Sequence, residues 1–175
     1  ENQTRLGAWT LKEGAELNNS IYTNHSRQRL YGSHSGTLSI YETSLNIFGW
    51  GAFFSSNYTT ADKRLALSAG IRMDGNTYNR KMRQLWKQFS PRLSASYKLS
   101  EQWTLSGSTG LYHQLPPYTA LGYKDNEGQY LNKNLKYMQV FESSLGVDWH
   151  LQDRFMVSAE GFFKRYSRMP LSLQD

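Results

Sequence analysis

The residues of this 175-residue chain best suited to bond-making chemistry are its four histidines, His25, His34, His113 and His150. They stand far apart, without the i, i+4 spacing that puts two imidazoles on one metal ion. Gly32-Ser33-His34-Ser35-Gly36 imitates the glycine-flanked turn that exposes a nucleophilic serine, but its central residue is His. Glu142, Asp148 and Glu160 could form a carboxylate pair, yet each alternates with apolar neighbours and reads as one polar face of a strand. Cysteine is absent, so neither a thiolate metal site nor a disulfide framework is available. No enzyme, metal or cofactor follows from these patterns. Binding chemistry remains. Tyr112-His113-Gln114, followed by Tyr118 and Tyr123 beyond Pro116-Pro117, groups aromatic rings with polar tips, and Arg80 and Arg83 flank Trp86 in a basic stretch. Such side chains suit a sugar, haem, siderophore or peptide alike, and Tyr118 is the first choice among them.

The elements that must position these residues alternate with period two. Leu93, Ala95, Tyr97 and Leu99 share one face of residues 91–99, while Arg92, Ser94, Ser96 and Lys98 share the other. After the polar break Ser100-Glu101-Gln102, residues 103–112 resume with Trp103, Leu105 and Leu111 opposite Thr104, Ser106 and Ser108. This is a hairpin with arms of about 9–11 residues, the length of a tilted strand across a bilayer. Tyr97 and Trp103 sit beside its turn, where an interfacial aromatic girdle belongs. Residues 64–74 alternate most cleanly: Leu65, Leu67, Ala69, Ile71 and Met73 face one way. Residues 46–58 place Phe48, Trp50, Ala52 and Phe54 together, with Gly49 and Gly51 leaving space on the other side. Residues 140–150 and 154–166 form a further hairpin around a turn at Leu151-Gln152-Asp153.

The early chain is less regular. Residues 6–9 read as a strand end, Leu11-Lys12-Glu13 as a turn, and 14–23 as a weak strand interrupted by Asn19. Residues 24–43 read as a long polar loop with room for a small hairpin. The total is about eight strands whose connections alternate. Short turns fall near Lys12, Ala61, Glu101 and Gln152; long loops fall at 24–43, 75–90, 113–137 and beyond Ser167. An outer-membrane barrel shows this alternation, with short periplasmic turns and long extracellular loops. A soluble carbohydrate-binding β-sandwich has no reason to gather every long loop at one end. A complete eight-stranded barrel with a structural or adhesive role is the other alternative.

Composition agrees. Only 38% of residues are hydrophobic and mean hydropathy is −0.67, yet 14% are aromatic. No run of about 18 apolar residues exists, which excludes a membrane helix but not a barrel, whose strands need only one apolar face. The net charge of +6 is scattered over loops and one strand face. It points to solvated loops and lipopolysaccharide phosphates rather than to nucleic acid.

Several stretches resemble the barrel of TonB-dependent outer-membrane receptors. They are Arg64-Leu65-Ala66-Leu67-Ser68-Ala69-Gly70-Ile71-Arg72-Met73-Asp74-Gly75-Asn76, Phe89-Ser90-Pro91-Arg92-Leu93-Ser94, Tyr112-His113-Gln114-Leu115-Pro116-Pro117-Tyr118, and Glu160-Gly161-Phe162-Phe163-Lys164-Arg165-Tyr166-Ser167. The likeness is good from about Asn46 onward. It implies an all-β, antiparallel, up-and-down transmembrane barrel, with this chain supplying about eight of roughly 22 strands. It also implies a location in the outer membrane of a Gram-negative bacterium and a nutrient ligand at the extracellular loops. Energy would come through TonB, contacted by an N-terminal part, with a surface lipoprotein as a further possible partner. Residues 1–175 then read as an internal section of one barrel domain, without plug or barrel ends. Trp86, Tyr112, His113, Gln114, Tyr118, Tyr123, Arg80 and Arg83 are the ligand-contact candidates.

Overall fold

The computed structural model describes residues 1–30, 37–125, 127–151 and 155–170. They form one eight-stranded antiparallel sheet in sequential order: β1 (Asn2–Leu6), β2 (Trp9–Leu30), β3 (Thr37–Thr59), β4 (Leu65–Asn76), β5 (Ser90–Lys98), β6 (Trp103–Gln114), β7 (Met138–Leu151) and β8 (Phe155–Ser167). The only α-helix among the described residues is one turn, α1 (Tyr118–Leu121), and Leu85–Gln88 adds a 3-10 turn. Up-and-down order in a single sheet rules out the two-sheet sandwich. Among the described residues β1 pairs only with β2 and β8 only with β7, so these eight strands do not close on themselves, and the small complete barrel is set aside.

The pairing carries the slant of a barrel wall. One ladder row runs Trp9, Tyr58, Leu67, Ala95, Gly107, Leu145, Gly161. On β2 it starts at the first residue of the strand. Six strands later it lies six residues inside β8. A climb of one residue per strand, at about 3.3 Å along against about 4.8 Å across, tilts the strands by about 35°, the tilt that barrel closure demands.

One face of this wall is apolar and open. Leu145 is 74% exposed, Leu17 72% and Leu93 58%; side chains so placed meet lipid, since water would penalise so broad an apolar surface. At the short-turn end the same face carries an aromatic belt. Trp9 packs on Tyr58 at 4.8 Å between centroids, Trp103 stacks on Trp149 at 5.7 Å, and Tyr97 lies beneath the Arg64 guanidinium. At the other end Phe48 meets Trp50 and Phe141 meets Phe163. On β4 the two belts stand beside Leu65, which pairs with Tyr97, and Gly75, which pairs with Trp50. Ten residues along a strand tilted by 35° rise about 27 Å, matching an apolar band of about 25 Å.

The turns differ from the sequence reading at one end. The first turn is not Leu11-Lys12-Glu13 but Gly7-Ala8, closed by the Leu6–Trp9 pair. Gly7 has φ +60°, which the first central position of this kind of two-residue turn requires and which glycine adopts without steric cost. Between β3 and β4, Asp62 accepts from the Thr60 hydroxyl at 2.5 Å and from the Arg64 amide at 3.1 Å. These bonds, the Thr60 hydroxyl first, hold the Asp62 carboxyl below its usual range. Arg64 then reaches the carbonyls of Lys98 and Leu99, tying this turn to the next.

Residues 24–43 are the larger correction. Most of this stretch is not loop: β2 has 22 residues and β3 has 23, about 70 Å each, and they pair without interruption from Trp9–Tyr58 to Leu30–Thr37. The hairpin stands well above the membrane band. The alternation inverts where it leaves the lipid. Below, Phe48, Trp50, Ala52 and Phe54 point outward; above, Glu42, Ser44 and Asn46 point outward while Leu45 and Ile47 turn inward. Outside the bilayer the outward face meets water and the inward face is covered by loops, so the polarity each face requires is exchanged. Ile47, Met82, Leu121 and Tyr137 form the small core beneath those loops. The Gly32–Gly36 motif with His34 lies outside the described residues, as does most of the turn 151–153.

Candidate functional site

The inner face of the sheet is polar, and its lower part is a field of small hydroxyls: Ser68, Ser94, Ser108 and Ser144 fall on one ladder row. Toward the long-loop end the row content changes to charge. Arg72 of β4 donates from Nε to both carboxylate oxygens of Asp74 at 3.0 Å and from Nη2 to Glu16 of β2 at 3.0 Å, with Nη2 also in ion-pair contact with Asp74 at 2.8 Å. The guanidinium is thereby fixed by two carboxylates from two strands, the planar fork that arginine alone provides. Glycine makes room for it. A Cβ on Gly51 would stand 2.7 Å from Asp74 Oδ1, and one on Gly49 2.6 Å from Asn18 Oδ1. The β3 backbone thus acts as a groove across which the side chains of its neighbours lie flat. On the far strands Glu142 pairs with Lys164 at 3.3 Å, and Arg92 sits 4.5 Å above the Tyr112 ring.

Above this floor the long connections fold into a layer. Residues 77–89, 115–125 and 127–137 lean on the inward face of the β2–β3 hairpin, held largely by tyrosine hydroxyls. Tyr41 donates to the Gly122 carbonyl at 2.8 Å, Tyr130 to Ser44 at 2.6 Å, and Tyr78 to both Leu121 and Asn132 at 2.9 Å. Thr43 adds a buried bond to Gly122 at 2.7 Å. Asn76, at the tip of β4, donates to the Tyr137 hydroxyl at 2.9 Å and accepts from the Tyr78 amide. Burial raises both phenols, Tyr137 to about 12, against the opposing Asn76 bond. These tyrosines are structural ties.

Between floor and layer opens a cleft of about 380 Å³. Glu16, Asn18, Arg72 and Asp74 form its lower side; Gln114, Tyr118 and Tyr137 stand on the loop side. Tyr118 is braced by a near-parallel stack on Tyr22 at 5.7 Å. His113 borders the cleft and holds its Nδ1 at 3.0 Å from the Ser90 hydroxyl, which itself donates to the Gln88 carbonyl. Of the residues proposed from sequence, the structure thus brings together His113, Gln114 and Tyr118. Tyr112 lies next to them on the inner face, occupied by Arg92. Tyr123 stacks on Tyr41 at 6.4 Å on an exposed part of the loop layer. Trp86, 69% exposed, and the exposed Arg80 and Arg83 stand on the outer loop rather than in the cleft.

Sequence reasoning missed the floor. Glu16, Asn18, Arg72 and Asp74 were visible only as polar positions alternating with apolar ones. A charged residue inside so clean an alternation, opposite glycines on the next strand, was the signal available. Among the described residues no three His, Asp or Glu side chains gather as metal ligands. The arrangement offers binding: fixed charges, amides and an aromatic wall at the mouth of a barrel.

The comparisons with known proteins agree with the geometry. A search of curated proteins finds no match to this chain. The family described as TonB dependent receptor-like, beta-barrel matches residues 2–175, nearly the whole chain. The tilted wall, the paired aromatic belts and the long loops gathered at one end are what that match requires, and the chain belongs to the β-barrel family of TonB-dependent outer-membrane receptors.

Proposed function

We propose that this chain is a wall section of an active-uptake receptor, capturing a nutrient at the extracellular mouth for TonB-energised entry. The observation that carries this reading is the cleft. It lies on the inner face, at the long-loop end, where a ligand entering the barrel from outside passes first. Its loop layer is pinned by buried hydrogen bonds, so the site is largely preformed and loses little entropy on binding. The unpaired edges of β1 and β8 fit a section of a wider barrel, because open edges in lipid would leave backbone groups unsatisfied. The open lipid face would contact the membrane, and the exposed cations Arg80 and Arg83 the lipopolysaccharide phosphates. A surface lipoprotein would have as its contact the outward face of the β2–β3 hairpin above the bilayer, where His25, Arg27 and Glu42 are exposed.

Uptake by cells carrying the parent receptor tests the proposal. Accumulation should stop on deletion of TonB or addition of a protonophore, while surface binding continues. Replacing residues 118–136 by a short linker should weaken binding and leave barrel insertion intact. Uptake that persists without TonB would refute the energised mechanism, and unchanged binding would remove the loop from the site.

A further inference from the structure

The charges of the cleft constrain what it can hold. Its charged lining residues are Glu16, Asp74 and Arg72, and Arg72 is held by the two carboxylates through Nε and Nη2. The chain as a whole carries +6, yet this cleft carries one excess negative charge. A polyanion would meet net repulsion, because the one cation of the cleft is outweighed by the two carboxylates beside it. A cationic group fares no better, because the place between the carboxylates is already filled by a guanidinium. What stays open is neutral hydrogen-bonding capacity. The Asn18 amide, the Ser20 hydroxyl and the Gln114 amide line the cleft and have no side-chain partner among the described residues. Each of these groups both donates and accepts, or presents the two functions side by side. Tyr118, braced on Tyr22, adds an aromatic surface to the same wall.

Hydroxyl groups of a sugar ring donate and accept in the same way, and the C–H face of the ring packs on an aromatic plane. Resting on the reading of this cleft as the receptor's ligand site, we propose that it binds a neutral, polyhydroxylated chain, a short stretch of uncharged glycan, and rejects polyanionic ligands. About 380 Å³ lies at the lower end of the roughly 300–1,000 Å³ range of ligand clefts, room for a few sugar rings. Glu16 and Asp74 act as specificity determinants: they hold Arg72 and cancel its attraction for anions.

The test uses the full-length receptor in detergent on a printed array of neutral and acidic glycans, followed by calorimetry with the best neutral oligosaccharide, oligogalacturonate, tetralysine and a ferric tris-catecholate. A neutral glycan should bind, with an affinity changing less than twofold between low and high salt, since no net charge is neutralised. Asn18→Ala, Gln114→Ala and Tyr118→Ala should each weaken it by about tenfold or more, the first two being polar changes that spare the aromatic stack. The double variant Glu16→Gln/Asp74→Asn should gain oligogalacturonate binding that the native receptor lacks. If the ferric tris-catecholate, oligogalacturonate or tetralysine binds the native protein, and the same three variants weaken that binding, the site stands and the glycan assignment falls. If a neutral glycan binds but ignores all three variants, the cleft is not the ligand site. Retention of no neutral glycan overturns the proposal.

Discussion

Placing a lysine at neighbouring positions of β4 turns the face assignment into measurable energy. The belts beside Leu65 and Gly75 put the bilayer midplane near Gly70, so Ala69 lies about 3 Å from it along the membrane normal and Leu67 about 8 Å. Ala69 is exposed on the apolar face, whereas Ser68 points to the polar face between Asn57 and Ser94. Ala69→Lys therefore puts an ammonium into hydrocarbon close to the midplane, at a cost of about 2–4 kcal/mol. Leu67→Lys should cost less in charge, because its four-carbon stem can carry the ammonium most of the way to the Trp9–Tyr58 belt. Ser68→Lys should cost under about 1 kcal/mol, since its ammonium enters a hydroxyl-lined, hydrated interior among small residues. Urea-dependent folding of the full receptor into phosphatidylcholine vesicles gives all three values. Equal costs at Ala69 and Ser68 would mean that both faces meet similar surroundings, as in a soluble sheet covered on both sides. A larger cost at Ser68 would invert inside and outside, and with them the location of the cleft.

Other changes probe the site and its supports. Gly51→Ala would put a methyl group 2.7 Å from Asp74 Oδ1 and break the Arg72 fork; we expect a loss of about 1–3 kcal/mol in the same assay together with weakened ligand binding, and an unaltered receptor would show that the glycine groove is incidental. Lys63 adopts φ 55° in the β3–β4 turn, so Lys63→Gly should stabilise by up to about 1 kcal/mol or be neutral; a clear destabilisation would assign the lysine a role of its own. Tyr137→Phe leaves the buried Asn76 side-chain nitrogen with only the Met82 sulfur at 3.8 Å, and should speed proteolysis within residues 115–137 without affecting the strands. The raised phenol of Tyr137 also predicts pH dependence: its contribution is complete below a phenol's usual 10.0 and disappears as pH climbs to about 12. Loop protection in the native receptor should therefore fall across that window more than in Tyr137→Phe, and parallel curves would contradict the burial of this hydroxyl.

How much of this was legible in the chain depends on where each strand runs. Inside the bilayer a strand has one apolar and one polar side for its whole length, so Leu65 to Met73 and Leu93 to Leu99 declare their faces and the lipid they meet by period two alone. The short turns and long loops set topology and polarity of the barrel by the same local logic, and motif likeness supplied the family. Above the bilayer the rule changes: from Phe48 to Ile47 the apolar face passes from outside to inside, no single period fits residues 24–43, and the upper parts of two long strands, residues 24–30 and 37–43, read as a loop. The position of the first turn escaped as well, because Gly7-Ala8 is a two-residue turn whose signal lies in one backbone angle rather than in a polar run. The site was half visible for the same reason. Tyr118 and Gln114 stood out as loop residues with binding chemistry, but Glu16 lies 56 positions before Arg72, and nothing local ties one to the other. Asp74 is two residues from Arg72 on one strand face, but only the pairing of β2 with β3 and of β3 with β4, across a glycine stripe narrow enough for side chains to lie over it, brings Glu16 to the same guanidinium and gives the cleft its charge.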